Sequence, residues 1–175
     1  MRTTWALLTM GALACGVAAG DPPKPLNAVE KVEIKAPLDK VWAAVKDFDA
    51  LSKWHPGFAS DELVSGSNGR VGSVRKLTIK NGPVIVEQLT AYSDASHSYR
   101  YRIIDSPLPI TDYSSTLSVR AGAGGVTEVT WSGTWKRKNP ADNPPEAESD
   151  AGTIKLITGV YRGGLDNLKK ILEGG

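Results

Sequence analysis

The chain has 175 residues, with 21 Lys and Arg against 19 Asp and Glu, two histidines and one cysteine. That length suits one domain with a sizeable core, and the near-balanced charge, without a basic block, lacks the footprint of a nucleic-acid binder. With Cys15 as the sole cysteine, an internal disulfide and a thiolate metal site are excluded.

Arg2, an apolar run from Trp5 to Val17 and the small residues Ala18-Ala19-Gly20 have the order of a secretory signal. Residues 1–19 are therefore expected to be a signal peptide cut after Ala19, which places the mature chain in the periplasm or outside the cell. The apolar run is short for a membrane span. Lipid modification at Cys15 is the alternative. Losing Arg2 takes the formal charge from +2 to +1. Residues 20–28, including the proline-rich stretch Asp21–Asn27, read as a tether, and 29–175 as one domain.

Val32 and Ile34 alternate with Lys31, Glu33 and Lys35, which predicts a strand with one wet face. Pro37 opens a helix carrying Val41, Trp42, Val45 and Phe48 on one side. Asp49 is positioned to cap a second short helix ending at Trp54, closed by Pro56 and Gly57. Six strands follow, near Ser60–Val64, Val71–Lys80, Val84–Ala91, Ser98–Asp105, Tyr113–Arg120 and Val126–Lys136. Turn signals at Ser67-Asn68-Gly69, Asn81-Gly82 and Gly122–Gly125 separate some of them. Short strands with tight turns predict antiparallel pairing. Finally Ile154, Ile157, Val160, Tyr161, Leu165, Leu168 and Leu172 fall on one face of a helix running from about Glu146 to Leu172. Asn143 followed by two prolines reads as its start signal, and Gly174-Gly175 as its end. The fold class is α+β: an antiparallel sheet curled around a long C-terminal helix.

Strand alternation puts Tyr99, Tyr101 and Ile103 on one side, opposite Arg100 and Arg102. It also puts Tyr113, Ser115, Leu117 and Val119 on one side. If these sides face the helix, the interior mixes hydroxyls with aliphatics. Buried hydroxyls need partners, so either a ligand cavity lies there or the tyrosines bury their rings with hydroxyls at the rim. Arg75 lies in phase with Leu77 and Ile79, where a guanidinium needs a carboxylate. Glu87 meets it if the Asn81-Gly82-Pro83 turn is a three-residue loop. A two-residue loop pairs Glu87 with Lys76 on the outside.

The strand–Pro37–Val41-Trp42 helix, the Phe48-Asp49…Trp54-His55-Pro56 segment, the Glu87-Gln88-Leu89 strand, the Thr111–Ser115 strand and the closing helix occur in that order. This set resembles the SRPBCC (START-like) helix-grip superfamily, which includes the START lipid carriers, the birch-pollen allergen and the polyketide cyclase/dehydrase-like proteins. An exported member without cysteine is most similar to the periplasmic accessory proteins of methanol oxidation. The resemblance implies a seven-stranded sheet, two short helices after strand one and a hydrophobic pocket under the long helix. Read without gaps against the superfamily's plant hormone receptors, it implies ligand-facing positions at Tyr101, Ile103, Tyr113 and Ser115. It implies further ones at His55, Glu87, Ser132, Ile157, Val160 and Gly164. The loop at Asn81–Pro83 is shorter than the receptors' gate, and Ser106–Ile110 replaces their latch, so a hormone-type gate is not expected.

His55 offers an acid or base near neutral pH, or else a histidine satisfying carbonyls at a helix end. His97 reads as a solvated turn residue. Two distant histidines do not make a metal site, and no phosphate loop, dinucleotide fingerprint or nucleophile elbow is present, so no cofactor is expected. Trp131 and Trp135 read as packing beneath the helix. Among the helical glycines 159, 163 and 164, Gly164 is expected to leave room for a ligand. Three functions compete. The first is a carrier or sensor of a small hydrophobic ligand. The second is an accessory of a periplasmic oxidoreductase. The third is a cyclase or dehydratase in which His55 and Glu87, the only catalytic candidates, transfer protons.

Overall fold

A computed structural model describes residues 22–174, so the expected signal peptide, including Cys15 and Ala19, lies outside the described residues. Seven strands form one antiparallel sheet: β1 (Leu26–Ile34), β2 (Phe58–Ser65), β3 (Val74–Ile79), β4 (Val84–Ser93), β5 (Ser98–Asp105), β6 (Ile110–Ala121) and β7 (Thr127–Arg137). Their spatial order is β1-β7-β6-β5-β4-β3-β2. Two short helices, α1 (Leu38–Val45) and α2 (Leu51–Trp54), follow β1, and α3 (Asp150–Glu173) closes the chain. This is the helix-grip architecture that the sequence implies. Among the described residues, no helix is long and apolar enough to cross a membrane.

β1 begins earlier than expected. Leu26 and Asn27 pair with Trp135 and Thr134, so the tether yields its last residues to the sheet. The alternation of Leu26 with Ala28, both turned toward the core, carries the strand back to that point.

α3 starts later than expected. A 3-10 turn, Glu146–Glu148, precedes it, and its cap is Ser149 rather than Asn143. Ser149 Oγ accepts from the Gly152 N–H at 3.0 Å, meeting one of the free amides of the first turn. The buried face is Thr153, Ile157, Tyr161, Gly164, Leu165, Leu168 and Leu172. Ile154 is exposed, and Thr153 takes its place because Trp135 Nε1 donates to its hydroxyl at 3.2 Å. Each fully buried leucine on this face contributes about 1.5–3 kcal/mol. Trp131 and Trp135 are both buried beneath α3, as the sequence suggests.

The cap of α2 also differs. Asp49 pairs with Asn68, whose Nδ2 donates to its Oδ1 at 2.9 Å. The Leu51 N–H instead donates to Asp61 Oδ2 at 2.9 Å, from β2. A carboxylate ten residues away thereby fixes the α2 terminus to the sheet.

Candidate functional site

The β3–β4 hairpin decides the character of the interior. Ile79 and Pro83 hydrogen-bond across a loop of three residues, Lys80 to Gly82, with Asn81 at φ 55°. That register sets Arg75 opposite Glu87 and Leu77 opposite Ile85. The three-residue alternative therefore holds, one position earlier than the Asn81–Pro83 assignment. Arg75 Nε donates to Glu87 Oε2 at 2.8 Å, and Nη2 lies 2.6 Å from the same oxygen. Nη1 donates to the Phe48 carbonyl at 2.6 Å and lies 3.4 Å from Asp61 Oδ2. The guanidinium carbon sits 4.2 Å from the Phe48 ring centroid and 5.0 Å from that of Tyr101, a favourable placement for a cation over aromatic faces. Arg75 and Glu87 are both buried. Burial pushes the Glu87 carboxyl upward, and Arg75 works against that shift. Burial likewise raises the Asp61 carboxyl to about 6, again opposed by Arg75.

A second polar group lies under α3. Tyr113 and Tyr161 share a hydrogen bond at 2.8 Å, and Tyr161 shares another with Ser115 Oγ at 3.0 Å. Ser115 donates to the Ser132 carbonyl at 2.8 Å. Trp131 Nε1 donates to both Tyr101 OH and Ser115 Oγ, at 2.9 and 3.0 Å. A β-bulge on β6 at Asp112, φ 53°, adds one residue to that strand. It lets Ile110 and Tyr113 both point inward although they are three apart. Burial lifts the Tyr161 phenol to about 12, so these hydroxyls stay neutral.

Between the two groups lies an apolar cavity of about 60 Å³, room for about two waters at roughly 30 Å³ each. Glu87, Tyr101, Ile103, Tyr113, Ile157 and Val160 all line it, so six of the ten expected ligand-facing residues converge. Larger hollows on the surface, up to about 320 Å³, include one on the outer face of the sheet beside Ser132 and Arg100.

The other four positions depart from the expectation. Ser132 is on the outer face, in phase with Thr130 and Thr134, and only its carbonyl reaches inward. Ser115 lies behind the wall and orients Tyr161. Gly164 leaves no room for a ligand: a Cβ there would overlap the His55 ring and lie 3.0 Å from Trp131. Its missing side chain serves close packing. His55 turns away from the cavity. Its Nδ1 accepts from the Gly57 N–H at 3.0 Å, which leaves Nε2–H to donate to the Val160 carbonyl at 2.8 Å. Burial holds the imidazole below its ordinary value. This is the histidine that satisfies backbone groups, and it does not face Glu87 as a proton-transfer partner.

Sequence reasoning overlooked Asp61, Tyr161 and Gly133. Asp61 stands opposite Leu77, so strand phase points it inward, but only the β2–β3 register reveals that. Tyr161 reads as one more apolar helix position until its hydroxyl is placed. A Cβ at Gly133 would collide with that hydroxyl, so this glycine clears the space in which the network forms.

The fold and this polar-ended cavity define a helix-grip protein with its interior site between sheet and terminal helix. The sequence signature of the polyketide cyclase / dehydrase and lipid transport family matches residues 25–173, and the chain belongs to that family, within the SRPBCC superfamily. It is 31% identical over 144 residues to the abscisic acid receptor PYL10 of Arabidopsis thaliana, covering 80% of this chain and 75% of the receptor. The structure of XoxI from Bacillus cereus matches with a TM-score of 0.73 at 30% identity, over 83% of this chain and 94% of that one. An uncharacterized protein from Bacillus thuringiensis matches with a TM-score of 0.71 at 29% identity, over 84% and 98%.

Proposed function

We propose that this protein is an exported carrier or sensor that holds a small hydrophobic molecule between the sheet and α3. The observation that carries the reading is the cavity itself, an apolar chamber with one buried carboxylate and two tyrosines on its wall. A wall made only for packing would leave out Glu87, because a buried carboxylate costs more than an apolar side chain of the same size. At about 60 Å³ the chamber is smaller than the roughly 300–1,000 Å³ of a drug-sized site. Uptake of such a molecule therefore moves part of the wall; Leu51, Leu108, Leu156, Ile157 and Val160 are the wall residues that stand outside the sheet's strands.

Likeness to XoxI and the resemblance to methanol-oxidation accessory proteins favour a second reading, an accessory of a periplasmic oxidoreductase. A cyclase or dehydratase using His55 with Glu87 has less support, because both ring nitrogens of His55 are engaged by backbone groups.

Native mass spectrometry of the chain, purified without detergent from the periplasmic fraction of its own cells, tests the reading. A reproducible small-molecule adduct released on denaturation is the expected result. A bare chain cut after Ala19 that co-purifies with a stoichiometric protein favours the accessory. A chain found only in the cytoplasm with its first 19 residues intact overturns export.

A further inference from the structure

The hydroxyl network beside the cavity has a fixed direction. Ser115 has one hydroxyl hydrogen, and it goes to the Ser132 carbonyl, which can only accept. The Ser115–Tyr161 bond is therefore donated by Tyr161. That uses the Tyr161 hydrogen, so Tyr113 donates to Tyr161. Two groups on the cavity wall remain incomplete. Tyr101 accepts from Trp131, and its own hydrogen finds no acceptor among the described residues. Glu87 commits Oε2 to Arg75, while Oε1 has no donor among the described residues and is not sealed from the open space.

The charges are equally one-sided. One guanidinium stands against two carboxylates, and Arg75 directs its donors at Glu87, Asp61 and the Phe48 carbonyl. Among the described residues, no lysine, arginine or histidine lines the cavity. Arg75 stands behind Glu87 and Tyr101 with its charge already set against two carboxylates, and His55 is bound to the Val160 carbonyl.

We infer that the cavity selects a neutral apolar molecule bearing a hydroxyl, an alcohol or phenol, and rejects a carboxylate. The ligand hydroxyl supplies the hydrogen that Glu87 Oε1 lacks and the oxygen that the Tyr101 hydrogen lacks. A carboxylate brings another negative charge to a dry wall with no cation to meet it. The inference rests on the ligand-holding reading above. It separates this chain from PYL10, whose named ligand is an acid.

The test titrates the full chain at neutral pH with benzyl alcohol and with benzoate, followed by NMR at the Glu87 carboxylate and the Tyr101 ring. Benzyl alcohol is expected to bind at least about tenfold more tightly and to shift both groups. Equal affinities overturn the selectivity and leave the cavity reading standing. No saturable binding of either probe overturns the cavity reading and the selectivity with it. Glu87→Gln keeps Arg75 paired with Asp61 and should reduce the preference to less than about threefold; an unchanged preference removes Glu87 from the site. Should that variant fail to fold, the wild-type spectra decide, since benzyl alcohol that shifts neither Glu87 nor Tyr101 also overturns the assignment.

Discussion

Arg75 is buried, and the fold delivers its partners: the carboxylates of Glu87 from β4 and Asp61 from β2 balance its charge, and the Phe48 carbonyl in the connection between α1 and α2 accepts from Nη1. Replacing Arg75 with Met leaves two carboxylates facing each other in the core, and urea unfolding should show a loss of about 3–5 kcal/mol. Gly164→Ala is a second expected loss, about 1–3 kcal/mol by thermal or urea unfolding, because the His55 ring is pinned by two hydrogen bonds and cannot yield easily. His55 also gives stability a pH slope. Its folded value is lowered, so in the window just below 6.5 the unfolded chain binds a proton that the folded chain refuses, and stability falls as pH drops. Asp61 acts in the opposite sense. Its folded value of about 6 lies above the ordinary 3.8, so the folded chain binds that proton first and gains stability as pH falls between those values. Glu87, also raised, acts in the same sense as Asp61, so the His55 contribution is read by difference. Urea midpoints of an Asp61→Asn chain should respond to acidification from neutral to mildly acid pH less favourably than those of the same chain carrying His55→Gln. The inward phase of Arg75 is legible in the sequence. The filling of Gly164 is not, since a missing side chain does not name its neighbour.

Strand alternation is the most legible signal in this chain. β5 has the boundaries that its pattern implies, and the inward rows of Tyr99–Ile103 and Tyr113–Val119 follow from period two alone. Element ends were harder, because caps depend on contacts distant in sequence. Asn143 has the right chemistry for a helix start, yet the turn at Glu146–Glu148 shifts that role to Ser149. Ser149→Ala should cost about 1 kcal/mol in chemical unfolding, and Asn143→Ala should cost much less. Equal losses would mean that both residues hold the start of α3. The bulge at Asp112 was illegible for the same reason: an inserted residue shows only against the partner strand.

For the molecule as a whole, the sheet and α3 enclose a space that its own side chains nearly fill. Leu108 stands in the β5–β6 connection and is only partly buried. Leu108→Ala should enlarge the chamber, so the measured affinity for benzyl alcohol should rise by about tenfold at most, the gain of one or two methylenes of space. A lower affinity would mean that Leu108 contacts the ligand instead of obstructing it. The cavity wall was predictable where residues sit on strands, and less so where it depends on how deeply α3 settles into the sheet.

The three-residue turn between β3 and β4 has a consequence on the timescale of descent. Loss of a single codon there, with the turn keeping three residues, would draw Val84 level with Ile79, move Glu87 to the solvent side opposite Lys76 and strand Arg75 in the core. Point substitutions can vary the chamber's size one methyl at a time, whereas an insertion or deletion at this hairpin changes its charge in one step. Lineages carrying Arg75 and Glu87 are therefore expected to vary in side-chain volume around the chamber while the length of this short loop stays constant.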